Sequence, residues 1–167
     1  MFPSGFIKKI MVCVDGSRES VAAAQWAITL AKNTDIELIA VYVVNVNLLK
    51  DLVRMRIFVK IEEMDYEKDL ELDGKRFLAF VESLARAKSV PIHTVLLKGV
   101  VDQELIQKTE EWGVDLLVLG ELEPVYSRAD ASHHVSELVL RKAKCSVFVI
   151  KNVEWVERIY NSLDART

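Results

Sequence analysis

The residues that could do chemistry fall at a few points where apolar runs break. Asp15-Gly16-Ser17 follows the run Ile7–Val14, Gly120 ends the run Leu116–Leu119, and His133-His134 precede a patterned segment that reaches residue 143. A loop that leaves a strand at Gly120 and enters a helix near Ser132 is where an α/β sheet places an anion. The first turn of a helix presents unpaired N–H groups and partial positive charge. This is the only candidate phosphate loop in the chain, since neither a Walker lysine motif nor a G-x-G-x-x-G fingerprint occurs elsewhere.

Other reactive side chains read as structural. His93 lies inside a strand run with no G-x-S-x-G motif to supply a nucleophile, so it is expected to be a hydrogen-bonded sheet residue. The acids from Glu62 to Asp73 read as a solvated helix face before they read as a metal site. Cys13 and Cys145 sit in apolar runs and read as small buried hydrophobes, a usage that fits a reducing, cytoplasmic setting. No catalytic or metal residue is assigned. Without a nucleophile–base pair the sequence points away from a dedicated enzyme, leaving weak ATP hydrolysis as the open exception.

Composition narrows the partners. With 167 residues, 51% hydrophobic, 28% charged and a net charge of -3, the chain fits one ordinary globular domain and gives no electrostatic reason to expect nucleic acid. No apolar run approaches the roughly 18 residues of a membrane span, and the N-terminus lacks a leader pattern, so neither membrane nor export is expected.

The elements that must position these residues alternate between strand and helix. Ser17 is a plausible N-cap with Glu19 in the first turn, and Val21, Ala24, Ile28 and Ala31 follow at helical spacing. Leu38–Val44 is a second strand and Val90–Leu97 a third, with Pro91 at its start. A long helix runs from Ile61 to near Lys88; Asp102 to Trp112 forms another, and Val147–Ile150 is the last strand. The segment 45–60 mixes Lys50, Arg54, Arg56 and Lys60 with large apolar residues. It reads as a loop or short helix over the sheet, with a membrane-surface or partner-binding role as the alternative. Residues 152–167 read as an appended amphipathic helix with the stripe Trp155, Ile159, Leu163. That stripe must cover the sheet edge, a helix of its own subunit or another subunit.

Five strands alternating with helices predict an α/β, single-domain, doubly wound five-stranded parallel sheet over residues 1–151, with helices on both faces. The expected order is 3-2-1-4-5. Strands one and four are then neighbours whose following helices lie on opposite faces, so a crevice opens between Asp15 and Gly120.

Over residues 6–151 the sequence resembles the universal stress protein family. The matching stretches are IMVCVDGSRES, LIAVYVV, VDLLVLG and HVSELVLRKAKCSVFVIK. The resemblance implies an adenine nucleotide alpha-hydrolase-like fold and a homodimer tied to stress responses, in a family with one ATP-binding branch and one that does not bind it. In the binding branch an aspartate at the position of Asp15 and the backbone near Val41 to Val43 hold the adenosine. The phosphates lie on a loop of glycine, two residues, glycine, nine residues, glycine, then serine or threonine. The family's pairing strand corresponds to residues 145–151, which the 152–167 helix could reinforce or replace.

Counted from Gly120, that loop pattern falls on Glu123, His133 and His134. The register is kept but three of its four positions differ. Glycine lets backbone N–H groups approach phosphate and the hydroxyl adds a donor, whereas Glu123, beside Glu121, adds negative charge. Like-charge repulsion at about 4 Å costs on the order of 1–4 kcal/mol. The histidines read as cap and packing residues of the helix start. Two other roles stay open: an anion site, disfavoured for imidazolium by the helix dipole, and a metal site of His133 with Glu137 and Glu121 or Glu123. The expectation is a scaffold or interaction module with no resident cofactor. A protein that binds ATP, AMP or adenosine near Asp15 and Gly120 is the alternative.

Overall fold

The computed structural model describes residues 6–55, 60–121 and 132–164, the side chains of residues 47–49, 52, 60–63 and 132–134 excepted. Five parallel strands, β1 (Lys9–Cys13), β2 (Glu37–Asn45), β3 (His93–Gly99), β4 (Leu116–Gly120) and β5 (Ser146–Ile150), form one sheet in the order β3-β2-β1-β4-β5. The register sets Ile10 beside Leu38 and Leu116, and Cys13 beside Val41. This is the order expected from the alternation of elements.

Alternate side chains of each strand enter opposite cores. Ile10, Val12 and Val14 pack on one face with α1 (Arg18–Ala31) and α3 (Lys60–Ala87). Met11, Leu117 and Leu119 pack on the other with α4 (Val101–Glu111) and α5 (Ser132–Lys142). All five residues of β4 are buried, as a central parallel strand covered on both faces must be. On α1, Ala22, Ala23, Ala24, Ala27 and Ala31 are buried, and their small side chains let the helix lie close to the sheet.

The sequence is refined at several points. Val90 donates its N–H to the Ala85 carbonyl and so still belongs to the turn after α3; the strand starts at His93, beyond Pro91, and His93 is exposed on it. Segment 45–60 contains α2 (Val46–Arg54), with Val46 and Val53 half-buried and Lys50, Asp51 and Arg54 outside, where α2 meets α3 and β3. That orientation turns its charges to solvent, as a helix covering the sheet does. Within the acidic run, Glu67 and Glu71 both bind the Lys98 ammonium of β3, tying α3 to an edge strand. Lys98 holds the Glu71 carboxyl below its usual range.

The tail forms α6 (Val153–Ser162), which lies on α1 and α3 of its own subunit. Its buried line is Val156 and Tyr160, while Trp155 stays 43% exposed on the flank, so the stripe read from the sequence is offset by one position. The Tyr160 hydroxyl donates to the Leu84 carbonyl at 2.7 Å, which draws the ring inward. Trp26 and Trp155 meet with ring centroids 5.1 Å apart, and the Arg18 guanidinium forks onto Glu157 at 3.2 and 3.0 Å. Asn152 caps the helix by accepting from the Trp155 N–H.

Candidate functional site

The crevice between β1 and β4 is built from the turn that follows β1. Val14 donates its N–H to the Val41 carbonyl at 2.9 Å, which carries the β1–β2 ladder past Cys13 and delivers Asp15 to the rim. Asp15 Oδ1 accepts from the Ser17 N–H at 2.9 Å and the Ser17 hydroxyl at 2.6 Å. Ser17 Oγ in turn accepts from the Ser20 N–H, and Ser20 Oγ donates to the Ser17 carbonyl and accepts from the Asp15 N–H. The result is a closed ring of hydrogen bonds that caps α1 and fixes the Asp15 carboxylate at the surface.

Gly16 has φ +89, and a side chain there would run into the Phe77 ring of α3. Phe77 itself stacks on Tyr42, with centroids 6.2 Å apart and planes 13° from parallel. Burial raises the Tyr42 phenol above its ordinary value, and the carboxylates of Asp73 and Asp15 add to the effect. Phe77 and Asp73 thus belong to this corner although only their helical spacing marked them in the sequence. Burial pushes the Cys13 thiol up to about 12, with Asp15 contributing, so it is a neutral and unreactive group although its residue keeps partial exposure.

The structure places the residues singled out from the sequence that fall within its described segments. The Val41 side chain is fully buried, which leaves only its backbone to offer, and Val43 two positions on is half-buried. Gly120 ends β4 against α1, where a Cβ would collide with the backbone of Glu19 and Ser20. Glu121 donates its N–H to the Ile150 carbonyl, and its carboxylate pairs with Lys151 at 3.3 Å instead of lying unopposed. Glu137 pairs with Arg141 at 2.7 Å, so its charge is already matched along α5. His133 and His134 occupy the first turn of α5. Glu123 lies outside the described residues.

β1 and β4 are neighbours, with Asp15 just beyond the C-terminal end of one and Gly120 at the end of the other, and they send their helices to opposite faces. The universal stress protein family model matches residues 7–151. The chain belongs to this family. It is 34% identical over 144 residues to the universal stress protein MJ0531 of Methanocaldococcus jannaschii, covering 86% of this chain and 82% of that one. Among solved structures, a universal stress protein family member from Burkholderia pseudomallei superposes with a TM-score of 0.68 at 24% identity, over 89% of this chain and 98% of the other. A universal stress protein family protein from Arabidopsis thaliana with AMP bound gives 0.58 at 19% identity, over 87% and 91%. These two structures share the universal stress protein fold, an adenine nucleotide alpha-hydrolase-like sheet.

Among the described residues no helix is long and apolar enough to cross a membrane, and no three His, Cys, Asp or Glu side chains are grouped as metal ligands.

Proposed function

We propose that this universal stress protein works as a dimeric scaffold or interaction module in a stress response, with a phosphate loop that does not grip a triphosphate. One observation carries the reading. α5 begins at Ser132, so the first helical turn, where N–H groups would receive phosphate, holds His133 and His134 in place of glycine and a hydroxyl residue. The retained framework also has structural reasons to persist. Gly120 is required by the backbone of α1, Gly16 by its φ and Phe77, and Asp15 caps its own turn. The experiment is calorimetry and thermal shift on nucleotide-stripped protein with millimolar Mg-ATP. Absence of heat and of shift is expected, and micromolar binding would overturn the reading.

Pairing is proposed through β5. It hydrogen-bonds β4 on one side only within this chain, and Phe148 on it is 44% exposed. An open apolar edge is a template for a second strand. α6 packs on α1 and is left out of this interface.

A second reading rests on Asp15. Its carboxylate is exposed and the turn uses Oδ1, while Val43 is half-buried nearby on β2. An adenosine or AMP held there without the phosphate loop would resemble the AMP-bound Arabidopsis relative. Mass spectrometry of co-purified small molecules tests it: finding no adenine nucleotide, together with no AMP binding, removes this reading.

A further inference from the structure

The joint that α6 closes against α1 and α3 is imperfect at its middle. Among the described residues, Gln25 Oε1 is buried and accepts no hydrogen bond. Arg18, Gln25 and Lys32 follow at intervals of seven, close to two helical turns, so they share one stripe of α1. Arg18 at its start forks onto Glu157 of α6, and Lys32 at its end donates to the Lys88 carbonyl just after α3 at 2.7 Å. That stripe is the one along which α1 faces α6 and α3, and the next residue, Trp26, meets Trp155. A buried acceptor without a donor is costly, so α6 leaves one polar group of its own seat unanswered.

What holds α6 is a narrow apolar line with a cation at each end. Val156 and Tyr160 are buried, and Val153 and Leu163 pack on the same core. Lys88 Nζ donates to the Leu163 carbonyl at 2.7 Å and stands 4.8 Å over the Tyr160 ring. The seat on α1 and α3 thus offers a guanidinium for a carboxylate at one end and an ammonium for the carbonyl end of a helix at the other. With 10 residues, α6 is shorter than the about 12–15 that an isolated helix needs, so the seat itself keeps it helical. It lies beyond residues 7–151, which the family model matches, and joins β5 through Lys151 and Asn152. Its release breaks no strand of the sheet.

We propose that α6 is a releasable clasp over a helix-binding groove, and that the groove receives an amphipathic helix of a partner protein. The partner presents the chemistry that α6 presents: two apolar residues four apart, a carboxylate next to the first that meets Arg18, and a carbonyl end at Lys88. A side-chain donor over Gln25 is what it adds, and that gives it an advantage over the tethered α6. The proposal deepens the interaction-module reading and rests on it for the existence of a partner.

The test uses nucleotide-stripped full-length protein. In hydrogen exchange, α6 amides should exchange at least tenfold faster than those of β1 and β4, through local opening. Gln25→Met, which removes the unanswered acceptor, should slow that exchange at least threefold. A fluorescent peptide of residues 152–164 is then titrated into each chain. It should bind Tyr160→Ala, whose own α6 is loosened, at least tenfold tighter than the unsubstituted chain. Because Tyr160→Ala empties a core position, Glu157→Arg breaks the exposed fork as a second loosening variant and should strengthen peptide binding at least fivefold. Adding Arg18→Ala to Tyr160→Ala should weaken it at least fivefold. Exchange of α6 no faster than β1 and β4, peptide binding strengthened by neither loosening variant, or binding indifferent to Arg18→Ala overturns the proposal. Exchange of α6 that slows with protein concentration makes a second copy the occupant and overturns it too. A fixed α6 removes this proposal and leaves the ATP test of the crevice untouched.

Discussion

The Phe77 ring occupies the space that any side chain at position 16 would need, and the backbone there has φ +89. A helix that the sequence marks only by its spacing thereby seals the turn that presents Asp15. Gly16→Ala should cost about 2 kcal/mol, from the strained φ together with the steric conflict. Trimming Phe77 to Leu in the same chain should recover the steric part only, so a denaturant double-mutant cycle should show coupling between the two positions. An alanine at 16 with unchanged stability would contradict the packing described.

Gly120 is constrained differently, because its neighbour is the backbone of Glu19 and Ser20, which cannot swing aside as a ring can. Gly120→Ala should lower the unfolding midpoint with or without nucleotide, and no side-chain truncation nearby should restore it. If it left stability intact and changed only ligand affinity, the glycine would be a ligand-binding residue instead.

The tail helix braces its own subunit. Tyr160→Phe removes the hydroxyl that donates to the Leu84 carbonyl and should cost about 1 kcal/mol. A chain stopped after Lys151 should keep the oligomeric state of the full chain in light scattering while losing thermal stability, since Val156 and Tyr160 leave the core. A change of oligomer on truncation would return α6 to the interface.

If the chain pairs through β5 as proposed, Phe148→Lys should leave it monomeric in the same measurement with little loss of secondary structure, because the side chain is already 44% exposed on the single chain. A dimer that survives this substitution pairs through another surface.

Alkaline pH should weaken the fold through Cys13. Its folded pKa is raised from 9.0 to about 12, so the neutral thiol is favoured in the native state. The contribution is fully present below pH 9.0 and is lost as pH rises toward about 12. Tyr42 acts in the same direction, being raised as well. Cys13→Ala should flatten the fall of unfolding free energy across that window, and native Cys13 should resist alkylation at neutral pH. Rapid alkylation of the folded protein would show an accessible thiolate.

The sequence by itself determined the order of strands and helices, the switch point that joins Asp15 to Gly120, and the altered residues Glu123, His133 and His134. Those features follow from local periodicity, from chain connectivity and from a count of positions, all of which are written along the chain. It did not determine which face of α6 is buried, since Trp155, Val156, Ile159 and Tyr160 are all large and apolar and one position separates the two stripes. The packing of Val156 and Tyr160 into the core, with the Tyr160 hydroxyl bonded to Leu84, chose between them, while Trp155 meets Trp26 from the flank. Nor could the acidic run reveal that Glu67 and Glu71 hold Lys98. These pairs lie far apart in sequence, and charged residues carry no periodic mark of the partner they will meet. Their relationships arise when the sheet orders its strands and brings distant helices side by side.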